Sequence, residues 1–180
     1  MLTTEQQFEH IISICRSLFE KKLADYGASW RILRPESVTD QIFIKAKRIR
    51  SLEEKGLSKI DEDINSEFIA IVNYGIVGLI QLQLEQTDTV DTSPKEAIQL
   101  YDKLIHESKS LMLAKNHDYG EAWRSMRVSS YTDLILMKIY RTKQIENNKG
   151  QTLVSEGIDA NYMDMINYSI FGLIKLEYTE

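Results

Sequence analysis

Apolar side chains recur every three or four residues in six segments of the chain, the spacing that places them on one face of an α-helix. The first helix is expected to begin with a capping box formed by Thr4 and Gln7 and to end at Gly27. Its counterpart in the second half should begin at Ser93, which precedes a proline and a glutamate at helical positions one and three, and end at Gly120. No segment has the alternating pattern that is typical of a strand.

The other helices are predicted from the same periodicity. The second helix of each half should begin near Thr39 and near Thr132, after a connector of about ten residues, which is long for a helix–helix link and therefore a candidate for function. Pro35 is interpreted as a break inside the first connector. The third helices are expected at residues 61–85 and 155–177.

The helical pattern belongs to an internal duplication. The sequence K-x-x-D-Y-G-x-x-W-R occupies residues 22–31 and again 115–124, a shift of 93 positions. After the "EEKG" and "ENNKG" loops the shift becomes 94, which carries Asn73 to Asn167. Self-similarity within one chain predicts a repeated structural unit.

We therefore predict an all-α fold in which a three-helix unit occurs twice and packs as a pseudo-twofold helical bundle. The first repeat is placed at residues 1–86 and the second at 94–180, with a polar linker at 87–93 and one shared core. Gly78 and Gly172 lie inside the third helices, where glycine costs about 1 kcal/mol relative to alanine. This cost indicates that the third helices cross with their backbones close together; an incidental tolerance of glycine is the alternative.

Composition and charge narrow the classes of function. A net charge of −5 argues against general binding to a nucleic-acid backbone. Cys15 is the only cysteine, which excludes an internal disulfide and suits a reducing cytoplasm. The longest apolar runs, at 68–80 and 165–174, fall short of the ~20 residues that span a bilayer. A cytoplasmic protein without membrane contact is expected, and homodimer formation is left open.

An acidic face in the second repeat suggests a metal site. Glu156, Asp159, Asp164 and Asn167 fall within about 140° of arc on the third helix at about 100° per residue. Carboxylates at this spacing repel one another unless a cation joins them, and oxygen ligands suit Mg²⁺. We expect the three carboxylates to hold Mg²⁺, with Glu156 and Asp164 as catalytic candidates. The alternative is a solvated helix start, where acids interact favourably with the helix dipole.

The first repeat has a weaker acidic face. Ala70 stands at the position of Asp164, although Asn73 matches Asn167. Asn65 stands at the position of Asp159, and Glu62 matches Glu156. Glu67 and Asp63 add charge but are expected to point to the other side of the helix. The first site is therefore predicted to be degenerate.

Basic pairs on the second helices suggest phosphate binding. Lys45 and Arg48 are spaced one turn apart, as are Lys138 and Arg141. An arginine fork and a lysine point charge on one face can grip a phosphate chain, and Lys115 of the repeated motif is a further candidate. A solvated basic face is the alternative.

The repeated motif also offers aromatic side chains. Trp30, Trp123 and Tyr119 are candidates for contact with a nucleobase, because aromatic faces stack on any base. The alternative is that they are plugs that close each three-helix unit. Asp25 and Asp118 are expected at the turn after the first helix of each repeat.

These motifs, in this order, resemble the nucleotide-modification-associated domain family, a former domain of unknown function, here in tandem over nearly the whole chain. The order also resembles, more distantly, the all-α nucleoside triphosphate pyrophosphohydrolases of the MazG and dimeric dUTPase type, whose members hold Mg²⁺ with helix-borne acids. The chain departs from the MazG pattern, since its second helix has Lys138 and Arg141 where E-E-x-x-E is expected.

The resemblance and the residues together predict a protein that binds a nucleotide as a small ligand and is linked to nucleotide or base modification. One hypothesis adds Mg²⁺-dependent cleavage of a (deoxy)nucleoside triphosphate to monophosphate and pyrophosphate. The alternative is a non-catalytic helical module that binds a nucleotide or a protein partner.

Overall fold

The helical periodicity of the sequence corresponds to six α-helices, and no strand occurs in the residues that the structure describes. The computed structural model describes the backbone of residues 1–56 and 60–178 and the side chains of 1–56 and 64–178, so the side chains of Glu62 and Asp63 lie outside it. The all-α prediction is confirmed. The helices are α1 (Thr4–Tyr26), α2 (Pro35–Lys55), α3 (Ile60–Gln83), α4 (Pro94–Tyr119), α5 (Val128–Asn147) and α6 (Ile158–Glu177).

The first helix of each repeat begins with a capping box. In α1 the box is formed by Thr3 and Gln6, one residue earlier than predicted. In α4 it is formed by Ser93 and Glu96, as predicted. Both helices end at a glycine with positive φ; the second, Gly120, has the left-handed helical conformation (φ 56°, ψ 52°).

The second helices begin earlier than the sequence indicated. Pro35 is the first residue of α2 and not a break before it, because proline fits the first helical position, where no backbone N–H is needed. The helix α5 begins at Val128, the position equivalent to Pro35. The connectors are therefore short, and each contains a 3₁₀ turn, Ser29–Ile32 in the first repeat and Ala122–Ser125 in the second.

Equivalent side chains hold the two 3₁₀ turns. Gln81 of α3 donates hydrogen bonds from Nε2 to the carbonyls of Arg31 and Leu33. Lys175 of α6, at the equivalent position, donates from Nζ to the two corresponding carbonyls of the second turn. The third helix of each repeat thus fixes the connector on which the W-R motif lies.

The third helices, α3 and α6, cross at the centre of the molecule with glycines facing aromatic rings. A Cβ atom on Gly78 would lie 2.8 Å from the ring of Tyr162, and one on Gly172 would lie 3.1 Å from the ring of Phe68. Phe68 and Tyr162 are themselves equivalent positions, so the contact is reciprocal. Gly78 and Gly172 make room for a ring of the facing helix. One turn earlier on α3 the backbones themselves come close, since a Cβ on Gly75 would lie 2.5 Å from Ile166 and 3.9 Å from the backbone oxygen of Tyr162.

The second helices are joined by a reciprocal pair of surface ion pairs. Arg50 of α2 lies 2.6 Å from Asp133 of α5, and Lys143 of α5 lies 2.9 Å from Asp40 of α2. Each pair maps onto the other under the shift of the duplication. Buried apolar side chains from all six helices form one continuous core between these elements.

One described segment, Ile64–Gln83 of α3, is long and apolar enough to span a membrane by length and composition alone. Of that window, 67% is buried inside the protein, as expected for the central helix of a helical core.

Candidate functional site

A buried aspartate joins two lysines in the second repeat. Asp164 of α6 is 4% exposed. Lys115 Nζ, on α4, lies 2.7 Å from Asp164 Oδ1, and Lys138 Nζ, on α5, lies 2.7 Å from Asp164 Oδ2. One carboxylate therefore ties together all three helices of the repeat.

The charges at this junction do not cancel, because one carboxylate faces two ammonium groups. Burial is the largest influence on the pKa of Lys115 and lowers it, but the hydrogen bond to Asp164 and the charge of that carboxylate together outweigh it and raise the pKa. The nearby charge of Glu156 adds to this rise, and Lys115 is therefore protonated at neutral pH.

An aromatic pocket of about 220 Å³ adjoins the junction on one side. Its polar members are Lys115, Asn116, Asp164 and Asn167. Its apolar and aromatic walls are formed by Met112, Tyr119, Trp123, Met126, Tyr168 and Phe171. The volume lies below the ~300–1,000 Å³ of pockets that enclose drug-sized ligands, so it suits a single ring system.

An open groove of about 920 Å³ lies on the other side of the junction. Lys138, Arg141 and Glu156 line it, together with the loop that precedes α6. Since Lys138 lines the groove while its partner Asp164 lines the aromatic pocket, the ion pair stands where the two cavities meet. Lys138 and Arg141, predicted as one phosphate-binding pair, do share this wall.

Trp123 is a packed wall of the pocket rather than an open stacking surface. Its ring stacks on Phe171 with centroids 4.4 Å apart, and its Nε1 donates to Glu121 Oε2 at 3.1 Å. The guanidinium of Arg124 lies 4.4 Å from the ring centroid, and Trp123 is 6% exposed. This arrangement favours the plug interpretation, and contact with a base stays a prediction for Trp123.

Tyr119 is the accessible aromatic side chain of the pocket. It is 74% exposed, so it does not close the repeat as a plug. Tyr168, which sequence reasoning did not select, is half-buried on the same pocket, and burial, followed by the nearby charge of Asp164, raises its pKa. These two rings are the aromatic surfaces that a ligand could contact.

The three predicted metal ligands are not brought together. Glu156 lies in the loop before α6, and not on the third helix as expected, because the helix begins only at Ile158. Glu156 and Asp159 are exposed, whereas Asp164 is buried further along the helix. No group of three His, Cys, Asp or Glu side chains within the described part of the chain is placed to hold a metal ion. A divalent ion at Asp164 would have to displace a lysine, because both carboxylate oxygens are engaged. The residues present do not fit the expected Mg²⁺ site.

The motif asparagines have a structural task that is the same in both repeats. Asn73 Nδ2 donates to the backbone carbonyl of Cys15 at 3.1 Å, and Asn167 Nδ2 donates to that of Ser108 at 3.0 Å. Both bonds tie the third helix of a repeat to its first helix. Because the same hydrogen bond occurs in both repeats, we interpret it as a contact that holds the helices together.

Asp25 and Asp118 lie within the last turns of α1 and α4, just before the turn at which they were expected, and both are exposed. A carboxylate there meets the negative end of the helix dipole, which is unfavourable. Nothing in the described structure assigns a packing role to either.

The first repeat uses a different acid for its basic pair. Glu67 is buried, with Oε1 2.7 Å from Arg48 and Oε2 3.7 Å from Lys45. Glu67 thus faces α2, whereas Asn73 of the same helix faces α1, and the sequence did not indicate these partners. The acid that holds the basic pair lies one helical turn earlier than Asp164, whose equivalent is Ala70.

Glu121 organises the second connector and was not selected from the sequence. It has a left-handed backbone (φ 64°), and its carboxylate accepts hydrogen bonds from Thr4, Asn116 and Trp123. It also pairs with Arg124 at 2.9 Å. The first repeat has Ala28 at the equivalent position, so the duplication gave no indication of this network.

A family model described as nucleotide modification associated domain 1 matches residues 22–82 and again 115–176. The chain belongs to this family, as a tandem of two copies. Each matched segment of the nucleotide modification associated domain begins at the motif lysine and ends within the third helix. The second segment contains every residue that lines the aromatic pocket except Met112. Comparison with curated proteins and with solved structures gives no match.

Proposed function

We propose that the second repeat binds a nucleoside phosphate, and that this binding serves nucleotide or base modification in the cytoplasm. The single observation that carries the proposal is the place of the Lys115–Asp164–Lys138 junction between an aromatic pocket and a basic groove. A nucleotide has the same two parts, a flat ring and a phosphate chain. The family description, which associates the domain with nucleotide modification, supports the same ligand class.

The base would occupy the aromatic pocket. Tyr119 and Tyr168 offer ring surfaces, and Met112 and Met126 add polarisable contacts that adapt to ring shape. Stacking is tolerant of base identity, so discrimination among bases would depend on the polar side chains at the pocket, such as Asn116.

The phosphates would lie in the groove against Lys138 and Arg141. Lys138 is held by Asp164, so its ammonium group is positioned before a ligand arrives, and Arg141 is exposed and free to form a bidentate contact. A positioned lysine beside an exposed arginine is a suitable arrangement for a phosphate chain of variable length.

Mg²⁺-dependent pyrophosphohydrolysis of the MazG type has less support. Glu156 lines the same groove as the basic pair, which is the observation in its favour. The carboxylate oxygens of Asp164, however, are occupied by two lysines. We therefore propose binding that needs no divalent cation, without turnover.

The test is isothermal titration calorimetry with the common ribo- and deoxynucleoside triphosphates, in EDTA and in Mg²⁺, with pyrophosphate release measured in parallel. Lys138→Met should weaken binding about tenfold or more, because it removes a charge-assisted contact. Lys45→Met, the same change at the equivalent position of the first repeat, is the matched control and should leave this affinity unchanged. Arg141→Gln, at an exposed position, repeats the test without disturbing the buried ion pair.

Binding in EDTA that depends on Lys138 and Arg141 and not on Lys45 supports the proposal. Metal-dependent pyrophosphate release abolished by Asp164→Ala would instead establish the hydrolase. No response to any nucleotide would overturn nucleotide binding and leave a module for a protein partner.

A further inference from the structure

The first repeat contains a pocket equivalent to the aromatic pocket of the second. It has a volume of about 260 Å³ and lies against the C-terminal end of α1, the first 3₁₀ turn and α3. Lys22, Trp30 and Tyr74 line it at the positions of Lys115, Trp123 and Tyr168. The duplication has therefore preserved the cavity as well as the helices.

The two pockets differ in their charge. Asp164 forms an ion pair with Lys115 in the second repeat, whereas Ala70 lines the first pocket beside Lys22. Among the described side chains, no carboxylate lies within ion-pair distance of Lys22. The acid of the first repeat, Glu67, is one turn away and is engaged with the basic pair of α2. The first pocket thus has the lysine of the motif, but Ala70 stands where the second repeat has the carboxylate that pairs with it.

The aromatic wall is also less filled. In the second repeat Phe171 stacks on Trp123, but the equivalent residue in the first repeat is Val77. Trp30 is only half-buried. Phe19 is its described ring neighbour, tilted and 6.1 Å away between centroids. More of the indole of Trp30 is therefore available to a ligand than of its counterpart.

We propose that the first-repeat pocket is a separate binding site for a small anion that carries a flat ring. The carboxylate or phosphate group of this ligand pairs with Lys22, as the side chain of Asp164 pairs with Lys115 in the second repeat. The ring of the ligand lies against Trp30 and Tyr74. This site is independent of the nucleotide proposed for the second repeat and needs no contribution from it.

The two tryptophans allow each pocket to be observed separately in the unmodified chain, because each gives one indole N–H resonance in a ¹⁵N spectrum. Trp30→Phe assigns the two signals. The protein is titrated with dTMP as the ring phosphate, with benzoate as the ring carboxylate and with thymidine as an uncharged ring. We expect saturable movement of the Trp30 signal with dTMP, benzoate or both, which identifies the anionic group, and at least tenfold weaker binding of thymidine.

Substitutions at Ala70 test the charge argument directly. Ala70→Asp supplies the missing acid and should weaken anion binding at least tenfold. Ala70→Asn, of the same size without the charge, should weaken it about threefold or less. Lys22→Gln should act like Ala70→Asp, and circular dichroism checks that each variant is folded.

Three results would overturn the proposal: a Trp30 signal unmoved by every probe, equal affinity for thymidine and dTMP, or equal effects of Ala70→Asp and Ala70→Asn. The Trp123 signal reports the second repeat, so failure of the first site is distinguishable from failure of the proposed nucleotide site.

Discussion

Lys138 Nζ lies 2.7 Å from Asp164 Oδ2, and the side chains of both residues are largely buried. Helix α5 is thus fixed to α6 at the boundary between the aromatic pocket and the basic groove. A buried ion pair of this kind contributes little net stability as a whole, but the loss of one partner leaves an uncompensated charge. Asp164 therefore positions Lys138, the proposed phosphate-binding lysine, and the stability of the fold also depends on it.

Asp164→Asn should lower the free energy of unfolding by about 3 kcal/mol, because Lys138 would keep its charge without a counter-ion. Urea denaturation measures the change. Ala70→Asn introduces the same side chain at the equivalent position of the first repeat, which holds no ion pair, and should cost about 1 kcal/mol or less. Equal losses at the two positions would contradict the role given to the ion pair.

The crossing of α3 and α6 predicts unequal effects of two equivalent substitutions. Gly78→Ala should cost about 2 kcal/mol, because the new Cβ would lie 2.8 Å from the ring of Tyr162. That ring is fixed by its hydroxyl, which lies 2.6 Å from Thr39 Oγ1. Gly172→Ala meets Phe68 at 3.1 Å, a ring without a hydroxyl anchor, and should cost less. A larger loss for Gly172→Ala in urea denaturation would show that the packing has been misassigned.

A half-buried glutamate predicts a pH-dependent stability. Neither carboxylate oxygen of Glu146 has a hydrogen-bond partner in the described structure, since the nearby Thr39 hydroxyl bonds to Pro35 and Tyr162. Burial raises the pKa of Glu146, and the weaker effect of Thr39 lowers it. The folded state therefore disfavours the ionised form, a penalty that is present above the raised pKa and disappears as pH falls below the ordinary glutamate pKa.

Glu146→Gln should accordingly raise the midpoint of thermal unfolding at pH 8, and the gain should shrink towards pH 4. Melting curves followed by circular dichroism at several pH values measure it. A gain that is the same at every pH, or a loss at pH 8, would contradict the assignment of a penalty to the ionised carboxylate.

Cys15 should act as a reporter of unfolding. It is fully buried, and burial raises the pKa of its thiol to about 12, so the reactive thiolate is scarce in the folded state. A disulfide reagent such as DTNB should leave the native protein unmodified for hours and react with one thiol per chain in urea. Rapid reaction under native conditions would mean that α1 separates readily from the core.

The helices were largely predictable because periodicity and caps are local properties. The capping box at Ser93 was located correctly, since its three signals lie within four positions of one another. The start of α2 was misplaced because Pro35 has two local meanings, a helix break or a first helical residue. Only the 3₁₀ turn, fixed by Gln81 from a distant helix, decides between them.

The sequence indicated which residues line the candidate site, but not which of them form ion pairs with one another. Sequence reasoning selected Lys115, Lys138 and Asp164, yet it assigned the aspartate to a metal because like charges on one helix are visible in a sequence and their partners on other helices are not. The partners of Glu67 were missed for the same reason, since an angle around α3 does not reveal where α2 lies. The partners of Asp164 and of Glu67 both lie on other helices, and only the folded structure shows them.

The proposed nucleotide site can be tested most directly by the methyl spectrum of methionine-labelled protein during titration with dTTP in EDTA. Met112 and Met126 line the aromatic pocket and Met137 lines the groove, whereas Met165 is buried in the core. The account predicts saturable movement of the Met112, Met126 and Met137 signals with one dissociation constant, and an unmoved Met165 signal. A titration that leaves Met112 and Met126 in place, whatever else moves, would contradict it.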